Sequence, residues 1–242
     1  FDFSLPQGSV KKDTPFWAGP AVFHMLTSPR LLDAVETFIG PEIYSNPVQH
    51  VRIKPPEHLT PINPDTGRIQ LGITPWHQDN GVVLPDADET DMLTAWFPLT
   101  DATIEQGCLC VIPKSHREGL MHHCPANWGL EIPQMVYERS NILPVPMQRG
   151  DVLFLHKHTC HSSLPNKSHE IRWSFDLRYN PIGQSTGRGA FPGFVARSQS
   201  RPEQVLRDPE VWYQLWRETR DSLAQSEDHP FNRWSKDHPA CA

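Results

Sequence analysis

The run "IRWSFDLRY" (residues 171–179) alternates apolar and polar side chains without a break. That is the period of a β-strand, in which residues two apart share one face. Working outward, other segments read the same way. "MLTAWFPL" (92–99), "CLCVIP" (108–113) and "DVLFLH" (151–156) are short, apolar or alternating, and separated by Gly, Pro, Asn and Asp. Earlier, "VQHVRI" (48–53) and "RIQLGI" (68–73) also alternate. Many short strands with helices at the margins predict a mostly β fold, a β-sandwich or jelly roll decorated by helices.

Two helices are expected. Ser28-Pro29 offers a cap residue with proline at the first helical position. Leu31, Leu32, Val35, Phe38 and Ile39 follow as one apolar stripe, and Gly40-Pro41 stops it. Asp208-Pro209 repeats the start signal ahead of Trp212, Leu215, Trp216 and Leu223. Nothing inside the chain reads as a linker or repeat, so residues 1–242 are expected to form a single domain, with a C-terminal helical extension at about 202–226.

Composition narrows the function classes. The formal net charge is −6 with a sequence pI of about 6.1, and Lys and Arg are scattered. Neither nucleic acid nor an anionic membrane surface is an expected partner. No apolar run reaches the length of a membrane span, and no apolar signal segment follows a basic start. The 25 prolines are dispersed, as suits loops between short strands. There are five cysteines and no C-x-x-C pair. Cys108 and Cys110, two apart in an apolar run, are read as buried thiols. The expectation is a reduced, intracellular and cytoplasmic protein. The sequence carries no signal of oligomeric state.

The chemistry-bearing stretch is "TPWHQDNGVVLP" (74–85), which holds His77 and Asp79 two apart. Along a strand that spacing offers an imidazole and a carboxylate to one ion; by itself H-x-D is equally a surface turn. A third ligand has to come from far along the chain. Candidates are His116-x-Glu118, His156-x-His158 after Gly150, and His161. His156-x-His158 resembles the first half of a cupin metal motif, but Thr159 to Ser162 stand where that motif needs a glutamate. His161 is followed by Arg172 in the next strand-like run. An arginine directed into a jelly-roll interior needs an anion to meet it, and its fork suits a carboxylate. The set is thus two histidines, one aspartate and an arginine.

These motifs, in this order, resemble the phytanoyl-CoA dioxygenase family of Fe(II)/2-oxoglutarate oxygenases. The resemblance rests on "RIKPP" (52–56), "WHQD" (76–79), "TAWFPLTDATIEQGCLCVIPKSH" (94–116), "RGDVLFLH" (149–156), "HSSLPNKS" (161–168) and "IRWSFDLRY". It covers roughly residues 49–180 and departs at Lys114, where the family usually has glycine in a surface turn. It implies a double-stranded β-helix, the cupin-like jelly roll, with flanking helices. It implies ferrous iron held by His77, Asp79 and His161, with 2-oxoglutarate and O₂ as cosubstrates. Arg172 would pair with the distal carboxylate of 2-oxoglutarate and Ser163 would hydrogen-bond it. Trp96 would line the cosubstrate pocket, and Gln78, between two ligands, is a weaker candidate contact. Gln49 and His50 fall near an early cosubstrate contact. A small organic substrate would be oxidised, most simply hydroxylated, with release of succinate and CO₂. Asp79 argues against halogenation, because halogenating relatives lack that carboxylate. Two rivals stay open at this stage: a metal protein built on His156 and His158, and a metal-free jelly-roll binding module. Arg52, Lys54 and Arg178 could meet an acidic substrate but are read first as solvated or ion-paired charges; "PDADETD" (85–91) is read as a solvated loop ahead of a mobile lid at the pocket mouth, and the glycine-rich "NPIGQSTGRGAFPGF" (180–194) as a possible pocket border.

Overall fold

A computed structural model of the protein describes Leu5, Ile62 and residues 10–60, 74–126, 129–138, 140–225 and 231–241. Ten strands form: β1 (Ile43–Lys54), β2 (Leu93–Pro98), β3 (Leu109–Val111), β4 (Cys124–Ala126), β5 (Gly129–Glu131), β6 (Leu143–Val145), β7 (Leu153–His156), β8 (His161–Ser163), β9 (Arg172–Pro181) and β10 (Phe194–Arg197). The helices are α1 (Pro20–Leu26), α2 (Pro29–Ile39), α3 (Gln134–Tyr137) and α4 (Pro209–Leu223). The strands build a five-stranded sheet in the order β10-β1-β9-β2-β7, a three-stranded antiparallel sheet β6-β3-β8, and the hairpin β4-β5. This is the jelly-roll fold. "RIQLGI" lies outside the described residues. Among those residues no helix is long and apolar enough to cross a membrane.

Two compact units, each discontinuous in sequence, can be distinguished. The first comprises Phe1–His50, Val83–Ala95 and Asp176–Arg233. Its aromatic centre is Phe23 of α1, stacked on Phe194 of β10 at 5.2 Å and tilted against Trp212 of α4 at 5.8 Å. α4 begins as expected, with the Asp208 carboxylate accepting from the Glu210 N–H, and it buries Trp212, Trp216 and Leu223. α2 buries only Leu32 and Val35 of its stripe; Phe38 is 59 % exposed, and the Ser28 side chain makes no cap bond. The start comes instead from Pro29, whose fixed φ suits the first turn. α1 was not anticipated, because two buried positions in seven residues leave too little periodicity to read.

The acidic loop 85–91 is exposed at Asp86, Glu89 and Asp91, as the solvated-loop reading expects, but it is also tied down. Arg233 forks onto Asp88, and the Thr90 hydroxyl donates to the Ser185 carbonyl at 2.7 Å. Arg178 is only 1 % exposed and donates to the Val48 carbonyl at 3.0 Å, so it is not solvated. In the glycine-rich segment Arg188 is buried and donates to the Phe231 carbonyl, a structural contact.

The second unit comprises Val51–Val82, Trp96–Phe175 and Trp234–Ala242. Its core is Trp96, Ala102, Cys108, Leu109, Met147 and Leu155. At the start of β9 the alternation runs opposite to the usual rule. Arg172 and Ser174 are buried at 2 % and 0 %, while Ile171 and Trp173 are 46 % and 38 % exposed. The polar face points inward, an arrangement tolerated only where polar groups are partnered. The cysteines depart from the all-thiol expectation: Cys108, Cys110 and Cys160 are free and buried, but Cys124 and Cys241 form a disulfide.

Lys114 explains its own oddity. Among the described residues it is the non-glycine with positive φ, at 69°. A side chain there costs about 1–2 kcal/mol, partly offset by the extra freedom glycine has when unfolded, about 0.5–1 kcal/mol. Lys114→Gly is therefore expected to raise the melting temperature by about 1–3 °C. A lower melting temperature in a thermal scan would show that the turn is not strained.

Candidate metal centre

His77 and His161 are brought together by the backbone. Each donates its N–H to the other's carbonyl at 3.0 Å, an isolated antiparallel bridge between the 74–78 segment and β8. Their rings lie 4.2 Å apart. Asp79 does not continue an extended strand, as the i, i+2 argument assumed; it opens a short 3₁₀ turn, Asp79–Val82. The turn brings its carboxylate to 4.0 Å from His161 Nε2. One ligand atom from each of His77, Asp79 and His161 lies within 4.8 Å of the others. The three residues are 6 %, 1 % and 5 % exposed.

Both rings are aimed by the same device. Nδ1 of His77 meets the Pro75 carbonyl and Nδ1 of His161 the Thr159 carbonyl, each at 2.9 Å and each two residues upstream. A carbonyl only accepts, so each Nδ1 carries the proton and each Nε2 keeps a free lone pair for a metal. Burial, reinforced by the neighbouring His161, holds the His77 pKa well below its ordinary value, against the pull of Asp79. Two neutral imidazoles and one carboxylate are the donor set of a non-haem iron site with open positions.

The turn carrying Asp79 has its own scaffold. Gln78 is fully buried; its amide donates to the Gly119 and His158 carbonyls, both at 2.8 Å, and accepts from the Met121 N–H at 2.7 Å. These bonds give Gln78 a framing role rather than the cosubstrate contact expected of it. The Gln78 N–H donates to Nε2 of His123, a residue sequence reasoning set aside, which is itself completely buried. Gly81 packs so closely on that imidazole that an added Cβ would sit 2.1 Å from its Cε1. Gly81→Ala is expected to cost about 1–3 kcal/mol by overpacking and to weaken metal retention by displacing Asp79. Unchanged metal content and melting temperature in that variant would show that the contact is slack.

Next to the triad lies a cationic group. β8 places His161 and Ser163 on one face, two residues apart. The Ser163 hydroxyl accepts from Lys54 Nζ at 2.7 Å and from the Thr74 N–H at 3.0 Å. Both lone pairs are thus engaged, and its remaining capacity is to donate. Lys54, read from sequence as solvated, is 3 % exposed and also bonds the Leu164 carbonyl. Burial, then the charges of Arg172 and Arg52, bring its pKa down to about 6. The Arg172 guanidinium lies 5.4 Å over the Trp96 ring and donates to Ser174 Oγ at 2.6 Å. Trp96 serves both as core and as the wall of this group. Gln49, in the first unit, is buried and donates to Ser45 Oγ at 2.9 Å. His156 is exposed, its ring tilted against His116 and edge-on to His158, and among the described residues no metal-compatible group includes it.

The 1-deoxypentalenic acid 11-beta-hydroxylase of Streptomyces arenae is 31% identical over 165 residues, 60% of this chain and 54% of that protein. The chain spans about half the length of curated relatives it matches. Among solved structures, the non-heme monooxygenase ThoJ superposes with a TM-score of 0.59 at 20% identity, covering 84% of this chain and 76% of its own. EvdO2 of Micromonospora carbonacea, complexed with 2-oxoglutarate, does so with a TM-score of 0.52 at 23% identity, covering 74% and 68%. At these identities the superpositions speak for the shared jelly roll. The phytanoyl-CoA dioxygenase (PhyH) family model matches residues 7–174, and with so much of the sequence covered the chain belongs to that family.

Proposed function

We propose that the protein is an Fe(II)- and 2-oxoglutarate-dependent oxygenase that hydroxylates a small organic substrate. The convergence of His77, Asp79 and His161 carries this reading, each buried and each imidazole tied back through Nδ1. The family supports it, as do the hydroxylase named among its relatives and the structural neighbour complexed with 2-oxoglutarate. Ferrous iron held there would supply O₂ activation coupled to loss of CO₂ from 2-oxoglutarate, leaving succinate.

The chain's own groups do the positioning. Asp79 would offset part of the metal's charge, and His77 and His161 would complete the donor set through their Nε2 atoms. Arg172 offers its fork to the far carboxylate of 2-oxoglutarate, Ser163 donates its remaining hydroxyl proton, and Lys54 adds a second cation. Trp96 covers the guanidinium and keeps water from the pair. Gln78 and His123 hold the Asp79 turn through their buried hydrogen bonds.

Mixing the protein anaerobically with Fe(II) and 2-oxoglutarate is expected to give a weak visible charge-transfer band, and admitting O₂ to release succinate. A protein that binds iron without that band would support metal chemistry independent of 2-oxoglutarate. No metal binding would leave a jelly-roll binding module.

Lys54 makes cosubstrate binding depend on pH. Its pKa near 6 is depressed, so above that pH it is largely neutral until a carboxylate docks and draws a proton on. Affinity for 2-oxoglutarate therefore falls as pH rises above about 6, by at most about tenfold per unit. The KM for 2-oxoglutarate is expected to climb between about pH 6.5 and 8.5 and to do so far less in Lys54→Met. Equal slopes in both proteins would remove Lys54 from the site. A cytoplasmic location belongs to the same proposal; three free, buried thiols are compatible with it, whereas the Cys124–Cys241 disulfide runs against it.

A further inference from the structure

A second cluster of metal-binding side chains lies in the same unit, outside the triad and its scaffold. The chain enters β4 through His122, His123 and Cys124. His123 turns toward Gln78 and Gly81; alternation along extended backbone sends His122 and Cys124 to the other side. There they meet the C-terminal segment His238-Pro239-Ala240-Cys241. One ligand atom from each of His122, Cys124 and Cys241 lies within 4.8 Å of the others. The His238 ring stacks on His122 with centroids 3.6 Å apart and an interplanar angle of 19°.

The cysteine sulfurs are joined as a disulfide, with Cα atoms 5.4 Å apart. A disulfide asks nothing of neighbouring imidazoles, yet two are packed together beside this one. Nε2 of His122 is buried and meets no hydrogen-bond partner among the described residues. An unsatisfied polar atom destabilises the fold, a cost that metal coordination would remove. Two thiolates and two imidazoles are the ligand set of a tetrahedral structural zinc centre, and the Cα spacing of the cysteines suits either bond.

We propose that, with Cys124 and Cys241 reduced, His122, Cys124, His238 and Cys241 hold one Zn²⁺ that fastens the C-terminal segment to β4. His238 joins by turning its ring and giving up its contact with the Ala240 N–H. The metal displaces the two thiol protons to solvent, so binding strengthens as pH rises. The fastened segment includes Trp234, whose indole donates to the Gly81 carbonyl at 2.6 Å and stacks on His123. The zinc site thereby steadies the turn that presents Asp79 while lying apart from the triad.

The test uses Co²⁺ in place of zinc on the full chain. A phosphine with water converts the disulfide to two thiols and leaves as phosphine oxide, so it does not compete as a thiol ligand. The reduced chain is expected to take up cobalt with a thiolate-to-metal charge-transfer band and the strong visible bands of a tetrahedral site. The triad holds no cysteine, so that signal reports the second site alone. The unreduced chain, identical in sequence, is expected to lack it, and Cys241→Ser to lose it with affinity at least tenfold weaker. Zinc is expected to raise the melting temperature of the reduced chain by several degrees. No thiolate band in the reduced protein, or the same band in the unreduced protein or in Cys241→Ser, would overturn the proposal.

Discussion

Asp79→Ala and His161→Ala are each expected to abolish iron-dependent 2-oxoglutarate turnover. Loss of a group that merely orients a ligand costs 10- to 100-fold in metal affinity or activity, to order of magnitude, so loss of a ligand itself should exceed about a hundredfold. The structure adds a reason specific to each. Asp79 is the carboxylate of the set and is 1 % exposed, so its removal leaves two imidazoles that cannot balance a divalent charge. His161 also pairs its backbone with His77, but alanine keeps those bonds, so the variant tests the imidazole and not the bridge. Iron content and succinate release are the measurements. Succinate at the parent rate from either variant would eliminate the assigned ligands and the proposed function with them.

Arg172→Ala is expected to raise the KM for 2-oxoglutarate far more than it weakens iron binding. Breaking one partner of a buried, hydrogen-bonded charge pair costs about 2–4 kcal/mol, or roughly 30- to 1000-fold. Arg172 is 2 % exposed, lies over Trp96 and sits beside Lys54, whose pKa it helps depress. Removing its charge should let Lys54 hold its proton to higher pH, so part of the carboxylate affinity returns as pH falls toward neutrality. Arg172→Lys should recover only a fraction, because a point charge cannot reproduce the fork. Titrating 2-oxoglutarate against the iron-loaded protein separates the two effects. An unchanged KM in Arg172→Ala would mean the arginine serves the core alone.

Some misreadings share one cause. Lys54 and Arg178 read as solvated or ion-paired charges because lysine and arginine usually are. Nothing near them in sequence says that the Ser163 hydroxyl or the Val48 carbonyl waits 109 or 130 residues away. Phe38 was assigned to an apolar stripe by its spacing, yet that position is left exposed. The acidic run 85–91 keeps Asp86, Glu89 and Asp91 exposed, and its anchors, Arg233 and Ser185, are too distant in sequence to be read from it. His123 gave no signal at all, since a histidine that satisfies a buried backbone N–H carries no local pattern.

By itself the sequence determined which elements could form and which donors were available. Period-two alternation is a property of consecutive residues and made β9 legible, while short apolar runs bounded by turn residues did the same for β2, β3 and β7. The order His77, Asp79, His161, Arg172 carried the donor types in a recognisable succession. Only the tertiary structure decided that Asp79 arrives on a 3₁₀ turn, that His123 backs that turn, and that β9 turns its polar side inward. It alone paired Cys124 with Cys241 across 117 residues and set two histidines beside them. Burial and convergence are distances between segments remote in the chain, and no local pattern of side chains encodes them.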